Sequence, residues 1–176
     1  ELLLAVLNDL DLSSVEVSIY GAGSTDYVQS LKKSCYNKNI SIIDGFVCDS
    51  KLPDLYANHH LVVLPYSITS VLNSGSVINA FSYQRAVISS KIGTLSDISN
   101  IPQKYFDYEY ENQEEHFLKL YKLIDSIIKT YSGRYNDLLL FGKNANEYIK
   151  KENSLSIVSL KLEKLLSNLD IKFWDH

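Results

Sequence analysis

Leu64-Pro65-Tyr66, followed by Asn73-Ser74-Gly75-Ser76-Val77-Ile78-Asn79-Ala80-Phe81-Ser82-Tyr83 and Ala86-Val87-Ile88-Ser89-Ser90-Lys91-Ile92-Gly93-Thr94-Leu95, decides how this chain folds. The first segment reads as a buried strand running into a polar loop. Ser74-Gly75-Ser76 then opens a helix, a second buried strand follows, and a glycine turn closes the unit. A helix that begins on short hydroxyls and a glycine presents unpaired backbone N–H groups at its positive end, which suits a phosphate.

Working outward, the same alternation extends over the first two-thirds of the chain. Leu2, Leu3, Val6, Leu7 and Leu10 have helical spacing, and Val15 to Tyr20 is short and β-branched, hence a strand. Gly21-Ala22-Gly23-Ser24 makes its exit turn, and Ser24 to Cys35 fits a helix with Tyr27, Val28, Leu31 and Cys35 on one face. Ile40 to Ile43 reads as a strand closed by Asp44-Gly45. Ser50 to Asn58 reads as a short helix capped by Asp49 or Ser50, with Pro53 in its first turn. Leu61 to Pro65 is continuously apolar, as expected of a strand covered on both faces, and Lys104 to Phe106 suggests one last short strand. Helices between successive strands imply parallel β-α-β units. The expected class is therefore α/β, a Rossmann-like doubly wound parallel sheet with helices on both faces.

From Asn112 the pattern turns helical. One stripe runs from Phe117 to Ile128, and further helices are expected over Arg134–Lys150 and Ser154–Leu169, broken at Gly133 and Asn153. A single domain is the natural division, with residues 1–111 as the sheet region and 112–176 as C-terminal helices. Because an α/β domain usually opens on a strand and Glu1 leads directly into a helix, a first strand is expected to be missing, and the chain to be part of something longer.

Composition narrows the classes. The chain has 176 residues, of which 45% are hydrophobic and 22% charged, and a net charge of -4. Those values are ordinary for a globular domain and lack the basic footprint of a nucleic-acid binder. There is neither an apolar run long enough for a membrane span nor a basic segment before an apolar core. Cys35 and Cys48 form no metal-spaced pair, so two reduced, partly buried thiols are expected and no metal site. His59 and His60 fall at a helix end, where a cationic ring suits the dipole, and Glu109, Glu111, Glu114 and Glu115 straddle a helix start as a solvated cap. Tyr105, Phe106, Tyr108 and Tyr110 are expected to pack the last strand against helices. Gly21-Ala22-Gly23 is followed by Asp26 where a dinucleotide fingerprint would place a third glycine, so a dehydrogenase fits poorly.

The ordered series Gly21-Ala22-Gly23, Ile43-Asp44-Gly45-Phe46-Val47, Leu52-Pro53-Asp54-Leu55-Tyr56-Ala57-Asn58, Val62-Val63-Leu64-Pro65-Tyr66, Asn73-Ser74-Gly75-Ser76 and Ala86-Val87-Ile88 resembles the C-terminal, donor-binding domain of GT-B retaining glycosyltransferases, the large group of glycogen synthases and bacterial polysaccharide transferases. The likeness runs from about Leu2 to Tyr131. It implies one half of a GT-B fold, transferring a hexose from a UDP- or GDP-sugar to a saccharide or lipid-linked acceptor with retention, in polysaccharide or glycoconjugate synthesis. It implies no separate cofactor and no metal, a partner N-terminal acceptor domain, and a cytoplasmic location compatible with attachment to the inner membrane face.

The resemblance also distributes roles. Gly21 and Gly23 match the glycine turn near the diphosphate or sugar, and Phe46 and Val47, after Gly45, match the loop that reads the nucleobase. Tyr66, Ser74, Gly75 and Ser76 match the surroundings of the donor phosphates and sugar, and Gly93 and Thr94 the turn bordering the same cleft. At the family's Glu-x7-Glu positions this chain carries Val71 and Asn79. Asn79 retains hydrogen-bonding groups for a ribose, whereas Val71 does not replace a carboxylate. A similar subgroup with a proline-tyrosine loop and a Ser-Gly-Ser helix start also lacks that pair. The family's diphosphate-neutralising Arg and Lys would lie just before or early in the first helix, and Glu1–Leu10 contains neither. No catalytic residue can be assigned, weak donor binding and no transfer are expected of this chain alone, and the alternative is a non-catalytic scaffold of the same fold with a decayed site.

Overall fold

The computed structural model describes residues 1–98 and 106–167. Parallel strands alternate with helices in the order α1 (Leu2–Asp9), β1 (Val17–Gly21), α2 (Thr25–Ser34), β2 (Ile40–Asp44), a 3-10 turn (Asp49–Lys51), α3 (Leu52–Ala57), β3 (Leu61–Leu64), α4 (Gly75–Ser82), β4 (Ala86–Ser90), α5 (Gly93–Asp97) and β5 (Phe106–Tyr108). The helices α6 (Gln113–Tyr131), α7 (Tyr135–Asn153) and α8 (Leu155–Ser167) follow. Side chains set the helix starts. Ser24 Oγ accepts from Tyr27 N–H and Ser74 Oγ from Val77 N–H, while Asn112 Oδ1 accepts from Glu115 N–H. The Glu115 carboxylate reaches back to Glu111 N–H at 3.1 Å, so this member of the acidic run caps the helix, whereas Glu109 pairs with Lys91.

All strand pairs are parallel, but the sheet is in two parts, β1–β2 and β3–β4–β5. Val17 stands opposite Ile40 in the first, and Leu61 opposite Ala86 in the second. Period-2 alternation sends residues of one strand to opposite faces. Leu61, Val63 and Ile88 pack with α1 and α6 in one core cluster, together with Val17 and Ile19 of β1. Val62, Leu64 and Val87 pack with α4, α5 and α7 in the other. Helices therefore cover both faces of the sheet, as the doubly wound reading requires.

Several expectations need correction. β3 is half-buried along its whole length, whereas all of β4 is buried. β4 has a strand on either side, while β3 is paired only with β4 among the described residues. Neither Asp49 nor Ser50 caps α3: both lie inside the 3-10 turn that leads into it. The last strand is described over Phe106–Tyr108 and so runs two residues past its expected end, while Lys104 and Tyr105 lie outside the described residues. The break between α7 and α8 falls on Ser154, one residue after Asn153. Cys48 is exposed rather than partly buried, since it sits in the loop beyond β2, and both thiols are free.

α7 supports the element that matters most for the site. A Cβ on Gly142 would run into the Gln84 carbonyl, so glycine lets α7 lie against the turn that ends α4. Gln84 there takes a left-handed φ of 58°. Asn146, buried on α7, donates through Nδ2 to the carbonyls of Phe81 and Ser82, both at 3.0 Å, and so satisfies the carboxyl end of α4.

Candidate functional site

The loop from Pro65 to Ser74 joins the carboxyl end of β3 to the amino end of α4 and contains no charged residue. Its start is fixed by Ser90, fully buried on β4, whose hydroxyl donates to the Tyr66 carbonyl at 2.6 Å. Its end is buckled onto α5. Thr94 N–H donates to the Leu72 carbonyl at 3.1 Å, and Thr94 Oγ1 accepts from Ser74 N–H at 3.0 Å and donates to Asn73 Oδ1 at 3.3 Å.

Ser74 is 7% exposed, and its hydroxyl is used in both directions. It accepts from Val77 N–H at 3.3 Å and donates to Tyr66 Oη at 2.7 Å. Its side chain is thus a cap, locked by Tyr66, and not a free ligand. What remains open at the mouth of α4 are the amides of Gly75 and Ser76, which have no acceptor among the described residues, and the exposed Ser76 side chain. Those donors, the helix dipole and an uncharged loop make a place for an anion. Asn79 is exposed one turn further along the same helix.

The predicted residues thus fall into two groups. Tyr66, Ser74, Gly75, Ser76, Gly93 and Thr94 come together. Gly93 has a packing reason, since a Cβ there would meet the Leu72 carbonyl at 2.7 Å. Gly21, Gly23, Phe46 and Val47 lie at the ends of β1 and β2, in the other part of the sheet, and no described hydrogen bond or ring contact joins them to the first group. Gly45 N–H donates to the Gly21 carbonyl at 3.0 Å, Gly45 has a φ of +126°, and Phe46 next to it is 86% exposed. A Cβ at Gly21 or at Gly75 would meet nothing within 4 Å, so packing explains neither glycine. Val71 packs against the core cluster under α4.

Lys91 follows β4 and pairs with Glu109 at 2.6 Å, just beyond β5. The carboxylate, through this hydrogen bond, raises the Lys91 pKa, and the ammonium lowers that of Glu109. His59 bonds the Leu55 carbonyl at 2.7 Å through Nδ1, at the end of α3. Among the described residues no group of His, Cys, Asp and Glu is arranged to hold a metal ion. Two surface depressions, of about 370 and 340 Å³, lie against α1, α2 and β2, away from the α4 loop.

Sequence reasoning missed Ser90, Tyr110 and Leu72 as supports of this loop. Tyr110 had been expected to pack the last strand, and its aromatic neighbours gave no hint that its hydroxyl enters the loop. Phe106 does pack as expected, against Tyr131 and Phe141.

No family model and no curated protein matches the sequence. Solved structures do. HepE of Anabaena, in complex with UDP and glucose, matches over 96% of this chain with a TM-score of 0.68 and 16% identity. The same protein in complex with UDP-glucose gives 0.69 and 15%. Sucrose-phosphate synthase of Thermosynechococcus elongatus gives 0.70 and 14%, again over 96% of the chain. The chain spans only 44% of HepE and 41% of the synthase. With its parallel strands, flanking helices and C-terminal helices, it has the fold of one half of a GT-B glycosyltransferase.

Proposed function

We propose that this chain is the donor-binding half of a glycosyltransferase and that its ligand is a nucleotide-sugar, a UDP-sugar before a GDP-sugar. The observation that carries the reading is the fold likeness, over nearly the whole chain, to a protein whose structures hold UDP and UDP-glucose. Two features of the chain support it. The open amides of Gly75 and Ser76 sit at the carboxyl ends of parallel strands, where folds of this class take ligands. Gly21 and Gly75 leave free the space that a Cβ would occupy, as a closely approaching phosphate or sugar requires.

In this reading the diphosphate rests on the first turn of α4, with Thr94 and Tyr66 holding Ser74 in its capping position. Phe46 and Val47 face the base, Gly21 and Gly23 border the sugar and diphosphate, and Asn79 reaches the ribose. The diphosphate leaves as negative charge builds on it, and preorganised N–H donors stabilise that charge without a metal. The transfer retains the anomeric configuration. The acceptor is a saccharide or lipid-linked sugar bound mainly by a second domain, which corresponds to the part of HepE that this chain does not span. The setting is polysaccharide or glycoconjugate synthesis on the cytoplasmic side of a membrane, and no described helix is long and apolar enough to cross one. We take residues 1–176 as a single domain that binds donor weakly and transfers nothing on its own.

One observation favours the alternative, a scaffold with a decayed site: Val71 is turned into the core where the family places a carboxylate. Thermal unfolding with millimolar UDP, GDP, ADP and their sugar conjugates separates the two. Ligand at about 100 times its dissociation constant stabilises by about 2.7 kcal/mol. For a chain of this size each kcal/mol raises the midpoint by about 2–4 °C. A rise selective for UDP is the expected result, and no rise with any nucleotide favours the scaffold for this chain.

A further inference from the structure

Tyr110 lies beyond β5, far from the loop in sequence, yet its hydroxyl is inserted there. Ile68 N–H donates to Tyr110 Oη at 3.1 Å, and Tyr110 Oη donates to the Tyr66 carbonyl at 3.3 Å. One phenol thus bridges two backbone groups that the loop does not pair internally, and the Tyr66 carbonyl shares its second acceptor position with Ser90. The ring is held as firmly as the hydroxyl. It stacks on the His116 imidazole at 3.8 Å with the planes 9° apart, and His116 Nε2 is 2.8 Å from Tyr108 Oη. His116 is 6% exposed, in the first turn of α6. From α6, a continuous line of contacts runs through Tyr110 to the Tyr66 backbone, from Tyr66 Oη to Ser74 Oγ, and from Ser74 Oγ to Val77 N–H at the mouth of α4.

We propose that Tyr110 is a positioning residue for the α4 site: its hydroxyl fixes the Tyr66–Ile68 backbone so that Tyr66 Oη holds Ser74 in its capping position and leaves the Gly75 and Ser76 amides aimed outward. Among the described residues, the hydrogen bonds and ring contacts of Tyr110 go to Ile68, Tyr66, Tyr108 and His116 and none to α4. The second half of this statement rests on the nucleotide-sugar reading above, whereas the first half can be tested without any ligand.

The test is Tyr110→Phe in the full 176-residue chain, which removes the hydroxyl and keeps the stack on His116. Amide exchange followed by NMR should accelerate at Ile68, Ser74 and Val77 while the amides of α6 keep their rates. Tyr108→Phe, which breaks the His116 hydrogen bond instead, serves as the control for general loosening. It should lower the thermal midpoint without selective acceleration at Ser74 and Val77. If Tyr110→Phe accelerates Ile68 alone, or the control accelerates Ser74 and Val77 equally, the positioning role is overturned. With UDP and uridine as probes, Tyr110→Phe should weaken UDP by about tenfold, the scale of coupling through a residue that does not contact the ligand, and leave uridine unchanged. Equal weakening of both probes, or none, contradicts aim at the diphosphate. Failure of the unmodified chain to bind UDP counts against the nucleotide-sugar reading alone, because the exchange result still decides whether Tyr110 sets the mouth of α4.

Discussion

A Cβ at Gly93 would stand 2.7 Å from the Leu72 carbonyl oxygen and 2.9 Å from Leu72 Cδ1, and that same carbonyl receives the Thr94 N–H. The neighbour is backbone already committed to a hydrogen bond, so it has little room to yield. Gly93→Ala should therefore cost about 1–3 kcal/mol in urea unfolding, the usual penalty of overpacking. Gly75 is the opposite case. Nothing approaches its missing Cβ, and it begins a helix, where alanine is tolerated. Gly75→Ala should leave stability unchanged or raise it by about 0.4–1 kcal/mol while weakening UDP in a titration. A loss of stability with binding intact would mean that the glycine serves the fold. Ser74→Ala, which removes an N-cap, should cost about 1 kcal/mol and weaken UDP as well. The two glycines look alike in sequence. Only the long-range approach of Leu72, which no local spacing reveals, tells them apart.

At the level of single elements, α6 carries a pH dependence. Its first turn buries His116, and the N-terminal end of a helix is a poor place for a cation. Burial lowers the His116 pKa below its usual 6.5, so the unfolded chain takes up a proton more readily than the folded one. The stabilising contribution is therefore complete above pH 6.5 and drains away as the pH falls below it toward the folded-state pKa. Urea midpoints measured from pH 7.5 downward should decline below 6.5, and His116→Gln should flatten that decline. Equal slopes in both proteins would assign the effect to other groups. Local signals made several elements readable. Ser24, Ser74 and Asn112 cap helices at or next to the places where the sequence puts their starts, and the β-branched runs all became parallel strands. The end of the short strand β5 at Tyr108 was not legible because its core role comes from partners on α6 and α7, distant in sequence, and not from its own alternation. In the site, the α4 cap was visible as Ser-Gly-Ser, but the serine's engagement with Tyr66 was not, because a cap and a ligand share one sequence signature.

Across the whole molecule, α8 leaves Leu155, Val158, Leu162, Leu165 and Leu166 exposed at helical spacing, with Leu155 84% accessible. Such a stripe on an outer helix favours association. Sedimentation velocity should show concentration-dependent self-association of this chain, and Leu162→Lys with Leu165→Lys should shift it toward monomer. Sedimentation that ignores both concentration and the substitutions would show that the stripe attracts no second copy.

The divided sheet has a further consequence, for how the molecule comes apart. Among the described residues no ladder of hydrogen bonds ties β1–β2 to β3–β4–β5, and the core cluster under α4, α5 and α7 draws only on the second set of strands. Hydrogen bonds tie the α2–β2 connection to α1 and the loop after it, Asn8 to Ser34 and Tyr36, and Asn39 to Leu12 and Val15. Thus α1, β1, α2 and β2 form one unit, joined to the remainder chiefly through apolar side chains against α6, β3 and β4, a non-directional attachment. It can therefore open as a cooperative unit while β3, β4 and α4 stay closed. Under mildly destabilising denaturant, amides of Ile19 and Ile42 should exchange through a small partial opening, and those of Val87 and Ile88 only through global unfolding. On this view the glycine turn beyond β1 and the mouth of α4 belong to two foldons of unequal lifetime, and a ligand that touched both would act as the missing rivet between them.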